Sequence, residues 1–199
     1  MTDYQKDLLS TVSGPDGYGD ALAAWKGQKE IQRPVAGVTL GPLPAAMASA
    51  FVDETYVLVK LRRYVTVYRG YETANLKAPL GVDHPSFYLG LLSSRFPGKP
   101  DGMWWSPARP SLSIDNLGLS SLHRADDRDR LAIKLEWNRL DFYIEGRLAP
   151  GTLVYAGRTA PQQDVAAYGG NRYGGAAMQF RLTAPSAQVV QHITTYKAS

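Results

Sequence analysis

Three short segments carry side chains suited to holding and transforming an anionic, nucleotide-like ligand. In Tyr64-Val-Thr-Val-Tyr-Arg-Gly70, Arg69 shares a face with Val65 and Val67 and stands immediately before a glycine. A guanidinium there either forms an ordinary salt bridge or reaches water along its stem, or it grips a phosphate or diphosphate bidentately while Gly70 lets the backbone come close. In Met103-Trp-Trp-Ser-Pro107, two adjacent indoles cannot share one core. One packs inside; the other covers a loop or lines a cleft, where an aromatic face beside the Ser106 hydroxyl suits a flat cationic ring. The third segment, Tyr168-Gly-Gly-Asn-Arg-Tyr-Gly-Gly175, reads as a mobile glycine-rich loop that runs into an alternating element. There Met178, Phe180 and Leu182 face one way, and Gln179 and Arg181 the other. The loop is either a plain hairpin connection or a substrate-shaping loop that presents Gln179 to a site.

The elements that would position these groups are short and strand-rich. Tyr64 to Gly70 alternates with period two and reads as a strand, as do Met103 to Pro107, Thr152 to Ala156, Ala177 to Thr183 and Val189 to Tyr196. Leu131 to Trp137 and Phe142 to Ile144 read as a hairpin across Asn138 to Asp141. Tyr4, Leu8, Leu9 and Val12 recur at helical spacing, and Ala21, Leu22 and Trp25 suggest a second helix after Gly14-Pro-Asp-Gly17. The Ala-rich Pro44 to Val52 continues that character, whereas Thr55 to Leu61 fits a helix end or a strand. The expectation is one α+β domain over residues 1–199, mainly helical over 1–54 and β-rich over 55–199.

Composition removes several classes of chemistry. The chain has no cysteine, so disulfides, thiolate nucleophiles and Cys-based zinc sites are excluded. His84, His123 and His192 are not at metal-ligand spacing, and no metal site is expected. The net charge of +4 comes from 22 basic and 18 acidic residues that are interspersed. Arg124 to Arg130 alternates in sign, which reads as a solvated face or loop rather than a nucleic-acid patch. The beginning of the sequence shows no basic segment followed by an apolar run, and no stretch is apolar enough to span a membrane. The expectation is therefore a protein of the cytoplasm of a producing or target cell, delivered by a specialised secretion apparatus if it is exported.

Tyr68-Arg-Gly70, Trp104-Trp-Ser-Pro107 and Gly174-Gly-Ala-Ala-Met-Gln179, in that order, resemble the ADP-ribosyltransferase superfamily. In that superfamily an early-strand arginine, a serine on an aromatic strand and a late glutamate or glutamine follow one another. Leu148 to Gln162, with the later Gly-Gly and Gln179, is similar to the carboxy-terminal part of the NAD-glycohydrolase toxins typified by tuberculosis necrotizing toxin. The likeness spans about Tyr64 to Leu182 and leaves out the amino-terminal part. It implies an ADP-ribosyltransferase-like split β-sheet core and NAD as substrate, with no further cofactor.

On that resemblance Arg69 would clamp the diphosphate beside Gly70, Ser106 would position the nicotinamide ribose or amide, and Trp105 or Tyr68 would stack on the ring. Gln179 would hydrogen-bond the ribose hydroxyls. No Gln-x-Glu or Glu-x-Glu pair stands near Gln179, which favours water over a protein side chain as acceptor. Glu136 and Glu145 are taken as solvent-facing, with entry into the cleft open to either. The leading expectation is an NAD-hydrolysing toxin with a cognate immunity protein or antitoxin that plugs the site at the Gly169 to Gly175 loop. A protein ADP-ribosyltransferase toxin, and a non-enzymatic β-rich module that binds a sugar or a protein, are the alternatives.

Overall fold

The structure, a computed structural model, describes residues 2–26, 34–35, 38–71, 103–110, 121–140 and 142–197. The Pro- and Gly-punctuated stretch expected after Gly70 lies largely outside them, as do the side chains of the three histidines. Helix α1 (Asp3–Ser13) opens with a capping box: the Thr2 side chain accepts from the Gln5 N–H, and the Gln5 side chain accepts from the Thr2 N–H. Its buried residues Leu8 and Val12, one turn apart, point at a sheet.

That sheet has five strands in the order β1 (Gly19–Lys26), β4 (Thr55–Leu61), β8 (Leu153–Arg158), β11 (Met178–Leu182) and β6 (Trp104–Trp105). A second sheet runs β12 (Val190–Lys197), β7 (Phe142–Leu148), β5 (Val65–Tyr71). The pairings within both are antiparallel. Two small pairs, β2 (Pro34–Val35) with β3 (Val38–Thr39) and β9 (Gln162–Gln163) with β10 (Arg172–Tyr173), stand apart. With the short helix α2 (Ala45–Ala48) and α3 (Ser121–Arg130), the chain is α+β, built mostly on antiparallel sheets.

Two apolar clusters cover the faces of the five-stranded sheet. On one face Val57, Val59, Val154, Ala156, Trp105, Phe180 and Leu182 meet α1 and the second sheet's Val65, Val67, Ile144 and Leu148. On the other, Tyr56, Leu58 and Tyr155 lie under Leu43, Ala48 and Phe51. Thr55 to Leu61 is thereby settled as a strand; buried on both faces, it shows a continuous apolar run instead of alternation. Gly157 is needed beneath this second cluster, because a Cβ there would stand 2.2 Å from the Phe51 ring.

Three expectations are corrected. Ala21, Leu22 and Trp25 lie in β1, not in a helix, because pairing with β4 outweighs the helix preference of alanine. The amino-terminal part is therefore a helix followed by a strand. Leu131 to Trp137 forms no strand. Ala132 and Leu140 have positive φ, and side chains take the backbone groups a hairpin would pair. Arg128 donates to the carbonyls of Ile133 and Asn138 at 2.8 Å each, and the Leu135 N–H donates to Asp164 at 2.8 Å. Finally, Arg124 to Arg130 is helical, with Asp127 fully buried and Arg128 nearly so. Their charges are matched by Arg130, by the Tyr143 hydroxyl and by the two carbonyls, so sign alternation there marks a buried network.

Candidate active site

Besides their apolar packing, the two sheets are joined, among the described residues, by one backbone bridge. Tyr68 of β5 and Ser106, just past β6, exchange backbone hydrogen bonds of 2.7 and 2.9 Å. Since β6 also pairs with β11, with Phe180 opposite Trp105, continuing that register by one residue sets Ser106 opposite Gln179. On the other side of β5, Tyr68 stands opposite Glu145 of β7. Directly opposed residues share a face of a sheet. Glu145, Tyr68, Ser106 and Gln179 therefore form one transverse row across four strands, about 4.8 Å per step.

Each member is held by its local sequence. The Ser106 hydroxyl donates to the Met178 carbonyl at 2.7 Å and accepts from the Ala108 N–H at 3.1 Å, tying β6 to β11 at the seam. Gln179 donates its amide to the Ala50 carbonyl at 2.7 Å. It lies on the face of Trp104, whose ring is 5.4 Å from that of Phe51 and 6.0 Å from the Arg181 guanidinium. Tyr68 is half-buried, and its phenol is pushed above the ordinary range by burial first and by Glu145 second, with Arg109 acting in the opposite sense.

The remaining sequence candidates are distributed differently. Arg69, half-buried, leaves β5 on the face of Val65 and Val67, opposite to Tyr68. It stands across from Ile144, past the last buried valine. Gly70 is buried, and its carbonyl accepts from Asn138 at 2.8 Å. Of the two indoles, Trp105 is the core residue, 3% exposed, with its N–H on Ser186 at 2.9 Å; Trp104 is the more open. One packs inside, as the sequence required, and the one assigned to ring stacking is the buried one.

A polar platform borders the row. Arg130, at the end of α3, places its carbonyl on the Ala177 N–H at 3.1 Å and donates to Asp127 at 2.6 Å and to the Arg109 carbonyl at 3.2 Å. Asp164 accepts from the Leu135 N–H, from Asn171 at 3.1 Å and from Tyr173 at 2.8 Å. Burial alone would raise this carboxyl; the bonds from Tyr173, Asn171 and Leu135, with Arg128 near, bring it below the ordinary carboxylate range. The glycine-rich loop expected to be mobile is pinned by these bonds. The N–H groups of Gly174 and Gly175 donate to Asp129 at 2.7 and 2.8 Å, and Gly175, at φ +71°, approaches Thr159 where a Cβ would be 2.5 Å from the carbonyl oxygen.

Sequence reasoning missed Arg109, Arg130 and Asp164, and it took Glu145 as solvent-facing while leaving its entry into the cleft open. The alternation of Tyr143, Glu145 and Arg147 against Ile144 and Leu148 was visible, but only the pairing of β5 with β7 brings Glu145 to the row. Among the described residues no helix is long and apolar enough to cross a membrane, and no group of three or more metal-ligating side chains occurs.

No protein-family model matches this chain, and no curated protein matches it. Among solved structures it is similar to Tne2, in the structure of Tne2 in complex with Tni2. The TM-score is 0.44 and the identity 13%, over 72% of this chain and 94% of that one.

Proposed function

We propose that this chain hydrolyses the nicotinamide–ribose bond of NAD, releasing nicotinamide and ADP-ribose, and acts as a toxin. The observation that carries the reading is the seam. Tyr68-Arg-Gly70, Trp104-Trp-Ser-Pro107 and Met178-Gln179, far apart in sequence, adjoin there through Tyr68, Ser106 and Met178. The nicotinamide of NAD is already a cationic leaving group, so bond cleavage asks mainly for orientation and for stabilisation of an oxocarbenium-like transition state. Ser106 orients the nicotinamide end. Gln179, its amide nitrogen on Ala50, offers its amide oxygen to a ribose hydroxyl. Arg69 is assigned the diphosphate, which must then extend past the edge of β5 to the face opposite the row.

The exposed Trp137, Val165 and Tyr168 lie on the glycine-loop side of the platform, where the Val165 N–H donates to Glu136 at 2.9 Å. In this reading a cognate immunity protein covers them and shuts the site. The same exposed residues are what favours the alternative of a non-enzymatic protein-binding module.

The test is incubation of the purified chain with NAD alone, following nicotinamide and ADP-ribose by chromatography. The reading expects release without any acceptor protein, reduced about 100-fold in Gln179→Ala, in line with loss of a positioned transition-state hydrogen bond. Arg69→Ala is expected to raise KM; an unchanged KM would pass the diphosphate to Arg109 and Arg130. Absence of any release by the wild type would overturn the reading and leave the protein ADP-ribosyltransferase, read by transfer from labelled NAD, and the binding module.

A further inference from the structure

Attack by water is accelerated by a group that takes its proton, and neither the Ser106 hydroxyl nor the Gln179 amide is basic enough for that. The transverse row supplies a carboxylate from an unexpected strand. Glu145 stands opposite Tyr68, which stands opposite Ser106, so Glu145 belongs to the same face, two strands from the serine and about 10 Å from it at the backbone. Its side chain is half-buried, with part of it open to water.

Two other carboxylates on that side, Asp127 and Asp164, are buried and hydrogen-bonded within the platform. Asp127, 0% exposed, reaches the outer face of β7 from α3 and accepts from both Arg130 and the Tyr143 hydroxyl. Asp164 is 4% exposed and filled by its three donors. Neither can approach a substrate without breaking the platform. Around Glu145 the titratable and charged groups are Tyr68 from β5, and Tyr143 and Arg147 on its own face of β7, with Arg109 from the segment after β6 acting on Tyr68. Asp127 and Arg130 of α3 stand behind Tyr143. The phenol of Tyr68 is held above its ordinary range by burial first and by the neighbouring Glu145 second, with Arg109 acting in the opposite sense.

We propose that Glu145 is the general base of the reaction, a catalytic residue on β7; the inference rests on the NAD-hydrolysis reading. The C1′–N bond breaks and its electron pair leaves with neutral nicotinamide. The oxygen of a water molecule bonds to C1′, and the water's proton passes to the Glu145 carboxylate, which later returns it to solvent. Before that transfer the same negative charge lies near the positive charge developing on the ribose. Tyr68, between Glu145 and Ser106, holds the phenol in its neutral form and so keeps a hydrogen-bond donor on the path of the water. This division of labour explains how a site with a neutral glutamine at the end of the row performs hydrolysis: the carboxylate enters from the opposite sheet.

The experiment is steady-state NAD hydrolysis by the full chain as a function of pH, in wild type, Glu145→Gln and Glu145→Asp, each with a thermal melt. Glu145→Gln is expected to lower kcat about 100-fold or more with KM nearly unchanged, and to abolish the acid limb of the kcat profile. Glu145→Asp keeps the charge on a shorter stem and is expected to retain the acid limb at reduced kcat. It also serves as the test if the glutamine variant does not fold. A kcat for Glu145→Gln within threefold of wild type overturns the proposal, as does an acid limb that survives in it. If the glutamine variant does not fold, loss of the acid limb in Glu145→Asp overturns it. Failure of the wild type to release nicotinamide is a separate outcome, which removes the NAD reading itself and the proposal with it.

Discussion

Phe180 and Asp164 are both shut away from water, and their surroundings have almost nothing in common. Phe180 is fully buried in β11, its ring edge-on to Tyr18 at 5.2 Å and packed with Val57, Val67, Trp105 and Leu182. Asp164 is buried among donors: a tyrosine hydroxyl and an asparagine amide from one stretch of chain and a backbone N–H from another. The first region is held by apolar area, which is insensitive to pH and tolerant of direction. The second is held by a few directed bonds to one charge, so its geometry is sharper and its failure more abrupt. The candidate site lies between them. Its row of side chains grows out of the apolar sheets, and its rim belongs to the polar platform.

The largest effect is expected where the apolar region is cut. Phe180→Ala removes a fully buried ring at the strand that pairs with both β6 and β8, and is expected to cost about 3–5 kcal/mol of global stability. Denaturant unfolding monitored by tryptophan fluorescence and by far-ultraviolet circular dichroism reads this as one coincident shift. A platform that stayed folded after the sheets had melted would break the comparison, because it would make the second region independent of the first.

Acid should separate the regions from the other side. A folded carboxyl held below its unfolded value contributes stability that is present above the unfolded pKa and is lost as pH falls through the folded one. For Asp164 the loss therefore begins near the ordinary aspartate value of about 4 and continues below it. Amide exchange at Leu135, whose N–H donates to this carboxylate, is expected to accelerate in that window before amides of β4 and β8 do. Asp164→Ala leaves three donors without an acceptor at any pH and is expected to cost about 3 kcal/mol, while flattening the acid dependence. Simultaneous exchange of both sets of amides would show that the carboxylate is not the local fastener.

The two regions also differ in how far the amino-acid sequence disclosed them. Period-two alternation in Tyr64 to Gly70 and Ala177 to Thr183 was sufficient to place β5 and β11, because each buries one apolar face and Val67 and Phe180 have no other place to go. In β4 the alternation vanished under double-sided burial, and in β1 the alanines suited a helix until pairing with β4 decided otherwise. The platform had no periodic signature at all. Nothing local marks Asp164 as buried, Leu140 as a positive-φ residue or Arg128 as a clamp on two carbonyls, since each depends on groups remote in sequence. For the site, residue types at Tyr68, Ser106 and Gln179 were legible; that they form a row with Glu145 follows only from strand register.

The smallest effect sharpens the comparison most. Tyr173→Phe removes one hydroxyl, 2.8 Å from Asp164, and leaves the ring and its packing in place. Because Asp164 keeps Asn171 and the Leu135 N–H, the expected loss is about 1–2 kcal/mol, as for a single bond to a charged acceptor. The same substitution takes away one of the bonds that hold the Asp164 carboxyl down, so its pKa should rise and the acid-induced exchange at Leu135 should begin at higher pH. Both readouts must move together if the hydroxyl works through the charge. A stability loss with no displacement of the acid window would mean that Tyr173 contributes only its ring, and the glycine-rich hairpin would then belong energetically with the apolar sheets.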